Sequence, residues 1–271
     1  MKPTSATISF LQNGVQRDLD LMSSESGSIL KFEAALEDHH TSIRLMPEKS
    51  IEVLELKVVF PYVFEKKDSI LMNGYQSWTV LKEYSLDTTN VMAEQVAKIM
   101  RHKKTDNCGD REFTNYEKEN RWLHGVSYGY IRRGSEFYFF GSLNEQQGFT
   151  FFDINTKDNT LTVRKELQTR FFDQEFTALD IIFLKGTEDE VFDQYFEKLG
   201  ITSTHAEPMT GYTTWYRHQQ DISEKVLVKD IQDISANAKR FPCQVFCIDE
   251  GYENAIGDWL TPKKQSFPHG I

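Results

Sequence analysis

The stretch Gln-Val-Phe-Cys-Ile-Asp-Glu-Gly, residues 244–251, decides how the second half of this sequence folds. It is a short apolar run that ends in two acids and a glycine, as a buried parallel strand does. Residues 212–216 form an earlier β-prone run, and the chain between the two runs has helical periodicity; its predicted buried stripe is Leu227, Ile231, Ile234 and Ala238. Strand, helix and strand in this order predict one βαβ unit, the building block of parallel α/β folds.

The first 185 residues have a different periodicity, close to two. Residues 54–60 alternate apolar side chains with Glu55, Lys57 and Val59. Glycine, asparagine and aspartate separate further short runs rich in β-forming residues, at 136–140, 149–152, 161–163 and 181–184. Many short strands with turn signals between them predict an antiparallel sandwich or barrel.

One helix and one linker divide these halves. Thr187 and Glu190 have the spacing of a capping box, and Gly200 marks a helix end. The apolar stripe between them is Val191, Phe192, Tyr195, Phe196 and Leu199. We therefore predict a β-sandwich domain over 1–200, a linker over 201–210 and the parallel unit over 211–271.

The composition excludes several functional classes. A formal net charge of −10 opposes binding to a phosphate backbone, so no nucleic-acid partner is expected. The N-terminus has no apolar signal segment and no window is long enough to span a membrane, which makes the cytoplasm the default compartment. Three scattered cysteines give neither a disulfide framework nor a zinc signature, and no nucleotide or metal-protease motif is present. We expect no cofactor and no metal.

The candidate site residues follow the two predicted parallel strands. Ligands bind at the carboxyl ends of such strands, where Asp249 and Glu250 lie. Trp215, at the end of the first strand, has a face that can stack on a sugar ring, and Asp258 and Trp259 add a second acid and ring. The structural alternatives are a solvated loop with a capping acid for the acid pair, a core side chain for Trp215, and a turn with an anchoring ring for Asp258 and Trp259.

Two further candidates are less directly placed. Asn73-Gly74-Tyr75-Gln76-Ser77-Trp78 begins with a turn signal and then brings an amide, a hydroxyl and two rings together; a structural turn is the alternative. His218 closely follows Trp215 and is a candidate for the same opening.

Several segments resemble glycoside hydrolase family 36, the α-galactosidase family. In the second half they are Gly211-Tyr212-Thr213-Thr214-Trp215-Tyr216, Asp221-Ile222, Phe246-Cys247-Ile248-Asp249-Glu250-Gly251-Tyr252, Gly257-Asp258-Trp259-Leu260 and Phe267-Pro268. They follow the family's order and spacing over about sixty residues. In the first half, residues 73–78 resemble the family's Asn-Gly-x-Gln-Ser-Trp segment.

The resemblance implies an N-terminal β-supersandwich followed by a (β/α)8 TIM barrel, of which this chain carries the first βαβ unit. It implies a retaining hydrolase acting on terminal α-linked galactose. Asp249 and Glu250 match the paired acids that bind galactose hydroxyls, Trp215 and Tyr216 match the pocket aromatic and its neighbour, and Trp78 matches an aromatic that reaches toward the barrel. The family usually has Asp-Asp where this chain has Asp249-Glu250, so strict galactose preference is not implied.

The family's nucleophile and acid/base are aspartates on later barrel strands. A full barrel takes about 250 residues, so we expect this chain not to hydrolyse glycosides by itself. We also expect the unit after residue 210 to be less stable than the sandwich, or to pair with another chain; a homo-oligomer is left open. A raffinose-synthase-like transglycosylase and a non-catalytic sugar-binding sandwich remain alternatives to the hydrolase.

Overall fold

The computed structural model describes residues 1–23, 30–74, 81–86, 122–202, 204, 207–255 and 257–271. The chain divides into two compact units, Met1–Thr202 and Ser203–Ile271. Each unit has its own hydrophobic cluster, and each is described separately below.

The first unit is built from antiparallel strands. In chain order its described strands are β1 (Ser5–Gln12), β2 (Val15–Asp20), β3 (Leu30–Leu36), β4 (His40–Pro47), β5 (Ile51–Pro61), β6 (Ser69–Met72), β7 (Lys82–Ser85), β8 (Trp122–Val126), β9 (Tyr128–Arg133), β10 (Glu136–Ser142), β11 (Thr150–Asn155), β12 (Thr160–Lys165), β13 (Phe171–Phe172) and β14 (Phe176–Gly186). The strands predicted around 54–60, 136–140, 149–152, 161–163 and 181–184 are all present, because alternation specifies which face of each strand is buried.

These strands form two sheets that pack face to face. One has the order β2-β1-β5-β12-β11-β8, with β13 joined to β5, and the other the order β3-β4-β14-β10-β9-β6-β7. Phe60 of β5 and Phe183 of β14 meet edge to face across the core, with ring centroids 4.8 Å apart. Inward-facing residues of both sheets, such as Ile8 and Ile43, are fully buried in one cluster. The predicted β-sandwich is confirmed.

Helix α1 (Glu188–Lys198) lies on the outer side of the second sheet. The Glu190 carboxylate accepts hydrogen bonds from the backbone N–H and the hydroxyl of Thr187, at 2.8 and 2.9 Å, as the capping-box spacing predicts. Val191 and Tyr195 pack with Phe137, Phe139 and Ile182 of the sheet. This contact gives the sheet a second, smaller core.

The second unit contains a strand–helix–strand arrangement. Strand β15 (Gly211–Thr213), helix α2 (Trp215–His218), helix α3 (Glu224–Ala236) and strand β16 (Val245–Cys247) follow one another. The strands pair in parallel, with Gly211, Tyr212 and Thr213 opposite Val245, Phe246 and Cys247. The predicted parallel βαβ unit is therefore present. Among the described residues, no helix has both the length and the apolar character needed to cross a bilayer.

Two local predictions in this unit are wrong: the end of the first strand and the buried stripe of α3. The first strand ends at Thr213 and Trp215 begins a short helix, because the N–H groups of Arg217 and His218 turn back to the Thr214 carbonyl at 3.2 and 2.9 Å. The hydroxyl of Ser223 caps helix α3 by accepting from the Val226 N–H.

The buried stripe of α3 also differs from the prediction. Leu227 is buried, but the next buried position is Asp230, whereas Ile231 is 49% exposed and Ala238 lies beyond the helix. Asp230 takes a buried position because Tyr212 and His218, on the preceding segment, hydrogen-bond its carboxylate.

Strand β16 directs its side chains to two sides of the sheet, as the period of two along a strand requires. Phe246 packs toward the cluster of Ile222, Leu227, Tyr252 and Phe267, while Val245 and Cys247 face the other side and are exposed. Cys243, before the strand, is half-buried.

Candidate functional site

The carboxyl ends of β15 and β16 lie side by side. Thr213 is opposite Cys247, and the Thr214 N–H donates to the Cys247 carbonyl at 3.2 Å. The two loops that follow the strands therefore start from the same edge of the sheet. This is the position at which parallel α/β folds carry their sites.

Asp249 is fixed at this edge by residues of the neighbouring strand. Its backbone N–H donates to the Thr214 hydroxyl at 2.9 Å, and its Oδ2 accepts from the Thr213 hydroxyl at 3.2 Å. Its Oδ1 accepts from the Glu250 N–H at 2.9 Å. Thr214 is fully buried whereas Asp249 is half-buried, so an anchored backbone presents a partly accessible carboxylate.

The next residues extend this link to the loop after β15. The exposed Glu250 carboxylate accepts from the Gln220 side-chain amide at 3.3 Å. Gly251 has a φ of +114°, and a Cβ added there would lie 2.5 Å from the Gln220 carbonyl oxygen. Only glycine lets the two backbones approach this closely. Hydrogen bonds and the close approach at Gly251 thus hold Asp249 and Glu250 beside the segment 213–220.

Trp215 directly follows the threonine that anchors Asp249. It is half-buried at the start of α2, and Tyr216 is 90% exposed. The structure thus brings Trp215 and Asp249 to neighbouring positions through Thr214. It leaves the Tyr216 ring in solvent.

Asp258 and Trp259 occupy a separate turn. The Asp258 N–H donates to the Ala255 carbonyl at 2.9 Å, and the Trp259 ring is 62% exposed, 6.3 Å from the ring of Tyr252. In the described part of the chain, no hydrogen bond joins either residue to Asp249 or Glu250. Trp78, the remaining predicted site residue, lies outside the described residues.

A polar cluster around Asp230 was missed in the sequence. Asp230 is 2% exposed; its Oδ2 bonds the Tyr212 hydroxyl and His218 Nε2, both at 2.6 Å, and its Oδ1 accepts from Arg217 at 3.0 Å. Burial by itself would raise the pKa of Asp230, but the hydrogen bonds from Tyr212 and His218 and the Arg217 charge outweigh it and lower that pKa.

The cluster around Asp230 supports the strand edge and gives His218 a structural role. It ties β15 and α2 to α3, so it supports the edge that carries Asp249. His218 is committed to Asp230, with only 19% of its side chain exposed. The signal in the sequence was spacing: residue 230 is three residues after Leu227 and four before Ile234, so it shares their helical face.

The chemistry available at the edge is hydrogen bonding by anionic oxygens beside an indole. A carboxylate accepts charge-assisted hydrogen bonds, which are shorter and stronger than neutral ones, from donors that include ligand hydroxyl groups. Among the described residues, no group of three or more His, Cys, Asp or Glu side chains is arranged to hold a metal ion.

No protein-family model matches the chain. Among solved structures, the chain is similar to an α-N-acetylgalactosaminidase, NagBb from Bifidobacterium bifidum, in complex with GalNAc. The TM-score is 0.36 and the identity 9%; the match covers 98% of this chain and 49% of that one, so the chain spans about half the length of that structure.

Proposed function

We propose that this chain contributes the sugar-binding edge of an α-galactosidase-type glycoside hydrolase. The observation that carries the proposal is the placement of Asp249: a carboxylate at the end of a parallel strand, anchored by Thr213 and Thr214 and still partly accessible. The family 36 resemblance of residues 211–268 supplies the substrate class, a terminal α-linked galactose.

In this proposal the two acids share the recognition of the sugar. Asp249 accepts hydrogen bonds from ring hydroxyls, because its backbone is fixed by the neighbouring strand. Glu250 is longer by one methylene and is held by the Gln220 amide, so it contacts a hydroxyl farther from the strand end. A displacement of about 1 Å matters in a positioned site. The preference for galactose over its epimers therefore depends mainly on Asp249.

The aromatic residues provide the apolar part of the pocket. Trp215, one residue after the Thr214 anchor, offers its face to the sugar ring. Tyr216, Asp258 and Trp259 are proposed as outer contacts, and the role of Trp78 stays a prediction from the family resemblance. Asp249, Glu250 and Asp258 are assigned binding roles only, because the resemblance places the nucleophile and the acid/base on later barrel strands.

The same proposal defines the domains. Residues 1–200 form the supersandwich, 201–210 the linker, and 211–271 the first βαβ unit of the catalytic barrel. Since hydrolysis and sugar transfer differ in what accepts the glycosyl group, the galactose-binding roles of Asp249 and Trp215 are the same for a hydrolase and a transglycosylase.

Titration calorimetry with methyl α-galactopyranoside tests the assignment on the full chain. Removing a hydrogen bond to a charged group costs roughly 1.5–3 kcal/mol, so Asp249→Asn is expected to weaken binding about 10- to 100-fold. Asp233→Asn is the matched control, because Asp233 is an exposed acid of the same unit that pairs with Lys229. Absence of saturable binding by the unmodified chain, or equal affinity of the two variants, would refute the proposal.

A further inference from the structure

The first unit carries a polar cleft that is independent of Asp249. Its volume is about 320 Å³, at the lower end of the range for small-molecule sites. Its lining residues come from the loop between β10 and β11, from β4, and from the start of β14: Asn144, Gln146, Gln147, Arg44, Glu175, Phe176 and Thr177. All of them belong to the unit Met1–Thr202.

One side of the cleft is lined by the loop between β10 and β11, whose conformation is fixed by hydrogen bonds and by a glycine. Lys165, 2% exposed, donates to the Asn144 carbonyl and to the Glu145 carboxylate, the latter at 3.1 Å. The Asn144 side chain accepts from the Gln146 N–H at 2.9 Å. At Gly148 an added Cβ would lie 1.8 Å from the Glu166 carbonyl oxygen, so only glycine can close the loop. The wall is therefore formed before any ligand arrives.

The opposite wall is an ion pair on the sheet. Arg44 and Thr177 face each other across β4 and β14, next to a register shift between Thr177 and Leu179. Arg44 donates to the Glu175 carboxylate at 2.9 Å. Bulges of this kind redirect side chains and are frequent beside functional sites. Here Thr177, the residue before the shift, lines the cleft.

The two charged residues that line the cleft, Arg44 and Glu175, form an ion pair with each other. The Arg170 guanidinium donates to the Gln147 carbonyl. Within the described ranges, the side-chain amides of Gln146 and Gln147 make no hydrogen bond to the protein. Each amide offers both donors and an acceptor, which suits a ligand that has many hydroxyl groups and no charge.

We propose that this cleft is a second binding site, for a neutral oligosaccharide. The ligand's hydroxyls bond the amides of Gln146 and Gln147 on one wall and the Arg44–Glu175 pair on the other. An anionic ligand is disfavoured because the Glu175 carboxylate lies beside the Arg44 cation. An apolar ligand is disfavoured because Phe176, the one aromatic lining residue, is 9% exposed and stacks on Phe172 at 4.0 Å.

Saturation-transfer NMR on the full chain tests this site. The probes are maltotriose, cellotriose and raffinose, with glucose 6-phosphate as the anionic comparison. The protein carries Asp249→Asn throughout, which weakens the site in the second unit, and the raffinose signal is compared with those of maltotriose and cellotriose, which contain no galactose. At least one trisaccharide is expected to receive saturation transfer, and glucose 6-phosphate is not.

Three variants locate the signal. Gln146→Ala combined with Gln147→Ala is expected to abolish it, and Glu175→Gln to reduce it several-fold. Gln16→Ala, at an exposed glutamine of β2 in the same unit, is expected to leave it unchanged. Circular dichroism checks that each variant is folded. No transfer to any of the three trisaccharides, or transfer that survives the double substitution, would overturn the proposal and leave the Asp249 assignment untouched.

Discussion

The backbone N–H of Asp249 donates a 2.9 Å hydrogen bond to the hydroxyl of Thr214. The bond joins the residue after the second parallel strand to the residue after the first. It fixes the position of the carboxylate without occupying either carboxylate oxygen. The orientation of the candidate site therefore depends on Thr214, a fully buried residue.

Replacing Thr214 tests this anchor. Thr214→Val keeps the volume but removes the acceptor, and leaves the Asp249 N–H unpaired at a cost of about 1–2 kcal/mol. We expect faster hydrogen exchange at residues 245–250 and weaker binding of methyl α-galactopyranoside. Thr214→Ser keeps the hydroxyl and is expected to retain most of the affinity. Equal losses in both variants would show that packing, and not the hydrogen bond, fixes the carboxylate.

A second prediction about the same edge concerns Gly251. Gly251→Ala places a methyl group against the Gln220 carbonyl and strains a backbone with φ of +114°. We expect it to destabilise the second unit by about 1–3 kcal/mol more than Gly257→Ala. Gly257 also has a positive φ, +87°, but an added Cβ would meet no atom within 4 Å. Thermal unfolding compares the two; similar destabilisation by both would rule out the close approach to Gln220.

The buried Asp230 predicts a pH dependence. Its pKa is lower in the folded protein than the unfolded value of about 3.9. The carboxylate therefore stabilises the fold above the unfolded pKa, and that stability is lost as the pH falls through the folded pKa. Asp230→Asn is expected to reduce stability at pH 7 and to flatten its decline between pH 5 and 2.

Thermal unfolding across that range, with Asp233→Asn as the exposed control, measures the effect of Asp230. The control is expected to follow the unmodified protein within about 0.5 kcal/mol. A pH dependence that is the same in Asp230→Asn as in the unmodified protein would contradict the assignment of the carboxylate as a stabilising anion.

The two units are expected to differ in local stability. Among the described residues, the second unit buries one cluster of four hydrophobic side chains, Ile222, Leu227, Tyr252 and Phe267, whereas the sandwich core extends across both sheets. Fewer buried apolar contacts give lower protection against hydrogen exchange. Amides of 211–271 should exchange faster than those of β5 and β14. Equal protection in the two units would contradict this.

The features predicted correctly from the sequence are those set by local period and local capping. Alternation around 54–60 specified strand β5, and the Thr187–Glu190 spacing specified the start of α1. The order strand, helix, strand predicted the βαβ unit. It also predicted the edge of the sheet at which Asp249 lies. Each of these signals is carried by residues close together in the chain.

The features that were missed depend on contacts between distant residues. Asp230 is buried because Tyr212 and His218 approach it from an earlier segment, and no local pattern shows that pairing. Thr213 and Thr214 acquire a role only when the parallel register places them beside Asp249. Their β-prone composition predicted the strand to continue, whereas the turn into α2 ended it.

A crystal structure of the full chain with methyl α-galactopyranoside is the decisive test of the Asp249 site. We expect sugar hydroxyl oxygens about 2.5–3.0 Å from an Asp249 carboxylate oxygen and the sugar ring packed on Trp215. A sugar bound elsewhere, with the Asp249 carboxylate making only its contacts to Thr213 and Glu250, would contradict it.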